Sequence, residues 1–306
     1  MRRVVALGAA LGIAAFVTAC GGAASTTAPS GGGEALKVVT TTTILADLVR
    51  QVGGDRVSVE SLVPKGGEVH TFDPTPSDVR NVAEADLVFV NGLGLDDWLA
   101  ELVTNADTVA PVIRLAEDLE GVTYLAGTEG DEAVNPHLWL NVAYAARYAE
   151  RIREALVAAD PDHAADYEAG ADAYTKVLAD LDAKARTMLG AIPAANRTVI
   201  SFHDAFPYFA AAYGLTVDGT IVDAPGQDPS AAKVAELVTV IKDKGIKAIF
   251  AEAQFNEDLV RTIADETGAT VVSDLYTDSV GDAPRDTYAG MMAWNIEQVA
   301  RALAGS

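Results

Sequence analysis

The chain reads as an α/β protein of two lobes, each a parallel-type sheet covered by helices, joined by one long backbone helix. Three observations predict this. Short β-rich runs alternate with helical patterns over residues 37–105, the same alternation returns after Arg197, and residues 141–190 between them read almost wholly as helix. Strand–helix alternation implies parallel strands, because a parallel pair needs a crossover and that crossover is usually a helix packed on the sheet.

In the first stretch, residues 37–43 (KVVTTTT) form a β-branched strand and 44–52 a helix; 57–63 is again a strand and 76–85 a helix opened by Pro76. Residues 86–91 (DLVFVN) have the unbroken apolar run of a strand buried on both faces, and the helix over 96–105 carries Trp98, whose indole is expected to pack. A helix over 141–159 ends at Asp160-Pro161, where proline suits the first turn of a new helix. From there to Leu189 glycine and proline are absent except for Gly170, which gives a rod ~40 Å long at ~1.5 Å per residue. Tyr167, Tyr174, Leu178, Leu181 and Ala185 line one stripe of it. The second stretch then reads strand 198–202, helix 205–213, strand 216–221, helix 230–244, strand 247–252, helix 257–267, strand 270–274 and a closing helix over 286–303.

The N-terminus decides the compartment. Arg2 and Arg3 precede an apolar stretch over residues 4–17, too short for a membrane span of ~20 residues, so it reads as an export signal. Val17-Thr18-Ala19-Cys20 resembles the bacterial lipobox, in which the cysteine is acylated and becomes the mature N-terminus. Cys20 is the only cysteine, so disulfides are excluded. Residues 20–35, rich in Gly, Ser, Thr and Ala, lack the apolar side chains to order themselves and read as a lipidated flexible tether. The expected organisation is a signal peptide at 1–19, that tether at 20–35, an N-terminal lobe at 36–159, the linking helix at 160–190 and a C-terminal lobe at 191–306. The formal charge of −22 becomes −24 when the two arginines of the signal are removed. Such acidity excludes a nucleic-acid partner, whose phosphates it would repel.

Three of the four histidines lie in polar, proline-marked or strand-end segments, His70 in GGEVHTFDP, His137 in NPHLW and His203 in SFHDAF, and Asp278 lies in LYTDS. Imidazole is the commonest protein ligand for zinc-like ions, so these remote segments point to one metal site assembled by folding. Asp274 and Glu252 are alternative acids for the fourth position; His163, in DPDH, is expected to be solvated.

In this order, together with ADLVF and NGLGL over residues 85–95, the motifs resemble those of the metal-binding solute-binding lipoproteins of bacterial ABC importers, the TroA-like or adhesin-type family. The resemblance covers essentially the whole mature chain. It implies a monomeric receptor, lipid-anchored on the outer face of the cytoplasmic membrane or in the periplasm, that delivers a metal to a membrane permease. His70 and His137 would come from the N-terminal lobe, His203 and Asp278 from the C-terminal lobe. Within the family a histidine at the position of His203 goes with Zn2+ and a glutamate with Mn2+. Three imidazoles and one carboxylate also suit four-coordinate zinc better than oxygen-seeking manganese. The chain departs from zinc members in lacking a histidine-rich loop: residues 126–132 (AGTEGDE) hold none. A zinc hydrolase is the competing class, with Glu252 or Asp204 as general base, but no His-Glu-x-x-His pair or Gly-x-Ser-x-Gly elbow is present. An adhesin role has no motif behind it.

Overall fold

The computed structural model describes residues 34–128 and 133–304. The signal peptide, most of the tether with Cys20, and Glu129–Glu132 of the acidic loop lie outside the described residues.

Two four-stranded parallel sheets form. The first contains β1 (Leu36–Thr40), β2 (Val57–Ser61), β3 (Leu87–Val90) and β4 (Val112–Arg114) in the order β2-β1-β3-β4. The second repeats the plan with β5 (Thr198–Ser201), β6 (Thr216–Thr220), β7 (Ala248–Glu252) and β8 (Thr270–Leu275) in the order β6-β5-β7-β8. β3 and β7 are buried throughout, as their apolar runs require of strands covered on both faces. In each sheet the strand order reverses between the first and third strands, and open α/β sheets place ligands beyond the carboxyl ends of strands at such a point.

The helices begin where the sequence supplies caps. Thr42 Oγ1 accepts from Leu45 N at the start of α1 (Thr43–Gly53). The Asp78 carboxylate accepts the Thr75 backbone N–H at 2.7 Å as α2 (Pro76–Ala83) begins, and Asn141 caps α4 (Val142–Ala159) through Ala143 N. α3 (Leu99–Ala106), α6 (Pro207–Tyr213), α7 (Ala231–Lys244), α8 (Asp258–Thr267) and α9 (Tyr288–Leu303) complete the set around the long α5 (Ala164–Gly190).

Three expectations need correction. α3 starts at Leu99 instead of Asp96, because the buried Asp96 carboxylate is drawn into the turn after β3. The rod opens with a 3-10 turn at Pro161–His163 before its 27 α-helical residues. His163 is not simply solvated: its Nδ1 lies 2.6 Å from Asp160 Oδ2, closing that first turn. The three-residue strand β4 has no counterpart in the sequence reading.

The stripe of α5 is buried as its spacing demands, with Ala171 and Leu189 added to it. Gly170 lets α5 approach the end of α1, since a Cβ there would sit 2.1 Å from Val52 O. Apolar side chains of α1, α4, α5 and α9 join those of both sheets in one continuous core, and smaller clusters lie under α2 and α3 and under α7 and α8. Among the described residues no helix is long and apolar enough to cross a membrane.

Candidate metal centre

The site is built at the carboxyl ends of strands. Beyond β3 the chain turns around Asp96, whose carboxylate accepts from Thr41 Oγ1 at 2.7 Å, Asn91 N at 2.7 Å and Gly92 N at 2.9 Å. Gly92 adopts φ 84°, a left-handed conformation that favours glycine, and a Cβ there would meet Glu117 Oε1 at 2.6 Å. Asn91, fixed by this turn, donates to Pro136 O at 3.1 Å and accepts from Tyr148 OH at 2.7 Å. It thereby holds the peptide that leads into His137.

His70 lies in the segment after β2, His137 just before the 3-10 turn Leu138–Leu140, His203 two residues beyond β5 and Asp278 three residues beyond β8. Folding brings these four together: each offers a ligand atom, and all lie within 4.8 Å of one another. His137 Nε2 is 3.3 Å from His203 Nε2 and 3.6 Å from Asp278 Oδ1, and His203 Nε2 is 3.7 Å from Asp278 Oδ2. His137, His203 and Asp278 are buried; His70 remains partly exposed.

Each buried ring is aimed by a partner on its far nitrogen, the usual arrangement for metal-binding imidazoles. His137 Nδ1 lies 3.1 Å from Asn135 Oδ1, which also accepts the His137 backbone N–H. Asn135 is itself oriented by donating to Asp204 O at 2.6 Å. His203 Nδ1 lies 2.8 Å from Glu252, whose other side accepts from Thr277 Oγ1 at 2.6 Å. With Nδ1–H donating in both rings, the two Nε2 lone pairs face the centre. Gln254 Nε2 donates to Asp278 Oδ2 at 3.1 Å, while Asp278 Oδ1 is buried without a hydrogen-bond partner among the described residues. Trp139 Nε1 donates to Thr277 O at 2.7 Å and joins the His137 segment to the Asp278 segment.

Burial, reinforced by the other two rings, holds the His137 imidazole well below its ordinary 6.5, so it stays neutral and ready to ligate. Burial pushes the Asp278 carboxyl up to about 7 against the pull of His203 and His70, with Glu68 and Glu252 raising it further. A cation is what this cluster best accommodates, since it stabilises the carboxylate that burial disfavours.

The alternatives for the fourth position separate cleanly. Asp274 is exposed and stands outside the cluster. Glu252 sits behind His203, and Asp204 sits behind Asn135. The orienting roles of Asn135, Gln254, Asn91 and Trp139 were not read from the sequence; the NP before His137 and the NGL after β3 were the available signals.

Two parallel sheets sharing one core, a long helix packed into it and a cluster of three histidines and an aspartate at the strand ends define the class of a solute receptor with a metal-binding constellation. The family model described as "ZnuA: Zinc-uptake complex component A periplasmic" matches residues 38–302, and the chain belongs to that family. It is 33% identical over 257 residues to the manganese-binding lipoprotein MntA of Halalkalibacterium halodurans, covering 83% of this chain and 84% of that one. It is 31% identical over 274 residues to the manganese ABC transporter substrate-binding lipoprotein PsaA of Streptococcus pneumoniae, covering 85% and 86%. Among solved structures, the periplasmic zinc-binding protein TroA of Treponema pallidum superposes with a TM-score of 0.81 at 28% identity, covering 88% of this chain and 99% of that one. The Mn-bound periplasmic metal-binding protein of Candidatus Liberibacter asiaticus gives 0.78 at 26% identity, covering 87% and 98%. The chain is a substrate-binding protein of a metal ABC importer and not an enzyme.

Proposed function

We propose that this protein captures zinc outside the cytoplasmic membrane and delivers it to the permease of an ABC importer, with His70, His137, His203 and Asp278 as ligands. The observation that carries the choice of zinc is the spacing of the buried donors. Zinc bonds of ~2.0–2.1 Å at tetrahedral angles need donors ~3.4 Å apart; His137 Nε2 and His203 Nε2 are 3.3 Å apart, and the carboxylate stands close to both, Oδ1 at 3.6 Å from His137 and Oδ2 at 3.7 Å from His203. The donor set is also poor in oxygen, because Glu252 is engaged behind His203 instead of facing the centre. Manganese is the second reading. Both Asp278 oxygens face imidazoles, so a bidentate carboxylate would give the higher coordination number that manganese favours, and two of the relatives carry manganese in their names.

The remaining parts of this reading concern attachment and organisation. Cys20 carries the lipid that tethers the protein to the membrane, residues 36–159 and 191–306 act as two lobes linked by 160–190, and the receptor works as a monomer. The deciding experiment is metal analysis of protein purified without added metal, followed by competition between zinc and manganese for the stripped protein. Zinc uptake at one ion per chain, displaced by manganese only in large excess, is the expected result; preference for manganese would reverse the choice of cargo.

A further inference from the structure

The geometry points to Glu252 as a fixed second negative charge of the metal centre, a positioning residue that acts through His203 and sets a preference for divalent over monovalent ions. This rests on the reading of the site as a metal centre. The carboxylate is 1% exposed, and four donors are aimed at its two oxygens. His203 Nδ1 and His203 N approach Oε1 at 2.8 and 3.3 Å, and Thr277 Oγ1 and Gln254 Nε2 approach Oε2 at 2.6 and 3.3 Å. Gln254 Nε2 is shared with Thr277 Oγ1 and Asp278 Oδ2, but the other three are aimed at Glu252, and among the described residues no acceptor is hydrogen-bonded to either oxygen, the pattern of an acceptor-only carboxylate.

A buried anion needs a compensating charge. Among the described residues no lysine or arginine forms an ion pair with Glu252; the ring facing it is His203, whose opposite nitrogen looks into the centre. Its compensating cation is therefore the ion on the far side of that ring. Together with Asp278 it supplies the two fully buried carboxylates of the centre, and the part-buried Glu68, which accepts from His70 N at 2.9 Å, adds a third acid. Asp204 is one side chain further out, behind the Asn135 amide.

Coulomb energy scales with ion charge, so removing this one charge should cost a divalent ion twice the free energy it costs a monovalent one. The test compares wild type with Glu252→Gln, which keeps an oxygen for His203 Nδ1–H while removing the charge. Zn2+ and Ag+ affinities are measured by competition, and the ligand-field absorption of bound Co2+ reports whether the coordination geometry is retained. Expected are an unchanged Co2+ spectrum, Zn2+ binding weakened about 10- to 100-fold, and Ag+ binding weakened by only the square root of that factor. Equal weakening of both ions with an altered Co2+ spectrum would assign Glu252 a purely steric role and overturn the proposal, as would a Glu252→Gln protein within threefold of wild type for Zn2+. A wild type that takes up neither ion overturns the metal-centre reading and this proposal with it. If the apo melt shows that Glu252→Gln does not fold, Glu252→Asp is read instead: retained charge predicts a Zn2+/Ag+ affinity ratio within threefold of wild type, and a tenfold fall refutes it.

Discussion

Zinc affinity should depend on pH through Asp278 more than through His137. Burial pushes the Asp278 carboxyl up to about 7, whereas His137 is held well below 6.5 and has no proton to lose in the same range. Below pH 7 the Asp278 carboxyl by itself should therefore weaken zinc binding about tenfold per unit, near 30-fold at pH 5.5, and should contribute about 0.9 of a released proton per zinc at pH 6 and about 0.1 at pH 8. Chelator competition gives the affinity, and calorimetry in buffers of different ionisation enthalpy counts the protons. Asp278→Asn should flatten the dependence over pH 6–8. The same variant tests the metal-free fold. A carboxyl raised on folding from 3.8 to about 7 destabilises the folded state progressively across that window, fully above it and not at all below it. The roughly 3-unit shift corresponds to on the order of 4 kcal/mol, so apo Asp278→Asn should melt higher than apo wild type at pH 8 and equally at about pH 3. The depressed His137 contributes stability that is lost as pH falls below 6.5, but it does so in both proteins and cancels. Proton release at pH 6 that Asp278→Asn leaves undiminished would refute this account.

Replacing His70, His137 or His203 singly by alanine should reduce zinc affinity at least about 100-fold, read by competition, while circular dichroism stays native. Gly170→Ala should lower stability by about 1–3 kcal/mol with zinc affinity unchanged, because its Cβ would fall 2.1 Å from Val52 O where α5 crosses α1; chemical denaturation measures it. Cys20→Ser should move the protein from the detergent phase to the aqueous phase in membrane partitioning. Metal-free and zinc-loaded structures should differ by a small tilt and ordering of the His70 segment, and a rotation of tens of degrees between the two sheets would contradict it.

Much of the fold was legible because the strands are dense in β-branched residues and because Pro76 and Pro161 mark helical starts. β4 was not, since three residues beside Pro111 carry no alternation to read. Asp96 illustrates a different limit. Within its own segment it looks like the acidic start of a helix, and only the distant Thr41 hydroxyl and the Asn91 and Gly92 amides make it the centre of a turn. The four clustered residues were legible as motifs, but the groups that aim them depend on contacts 49 residues apart for Glu252 on His203 and 69 for Asn135 on Asp204. Sequence therefore named Glu252 and Asp204 as acids near the site without revealing that both work through a neighbour.

The expected placement of two of the clustered residues on each side bears on how an ion would be held. Asp278 follows β8, yet its neighbour Ser279 accepts from Gly66 N at 2.9 Å, and Val280 N donates to Thr43 Oγ1 at 3.1 Å. Trp139 ties Thr277 to the His137 segment, and Tyr288 at the start of α9 donates its backbone N–H to Asp47 on α1. The segment carrying Asp278 is thus braced by elements of both sheets, over a core that is continuous between them. Separating the sheets would break these bonds and open that core. Of the four proposed ligands His70 keeps partial exposure, so on that proposal its segment offers the least costly way for an ion to enter or leave, with His137, His203 and Asp278 staying in place to receive the next.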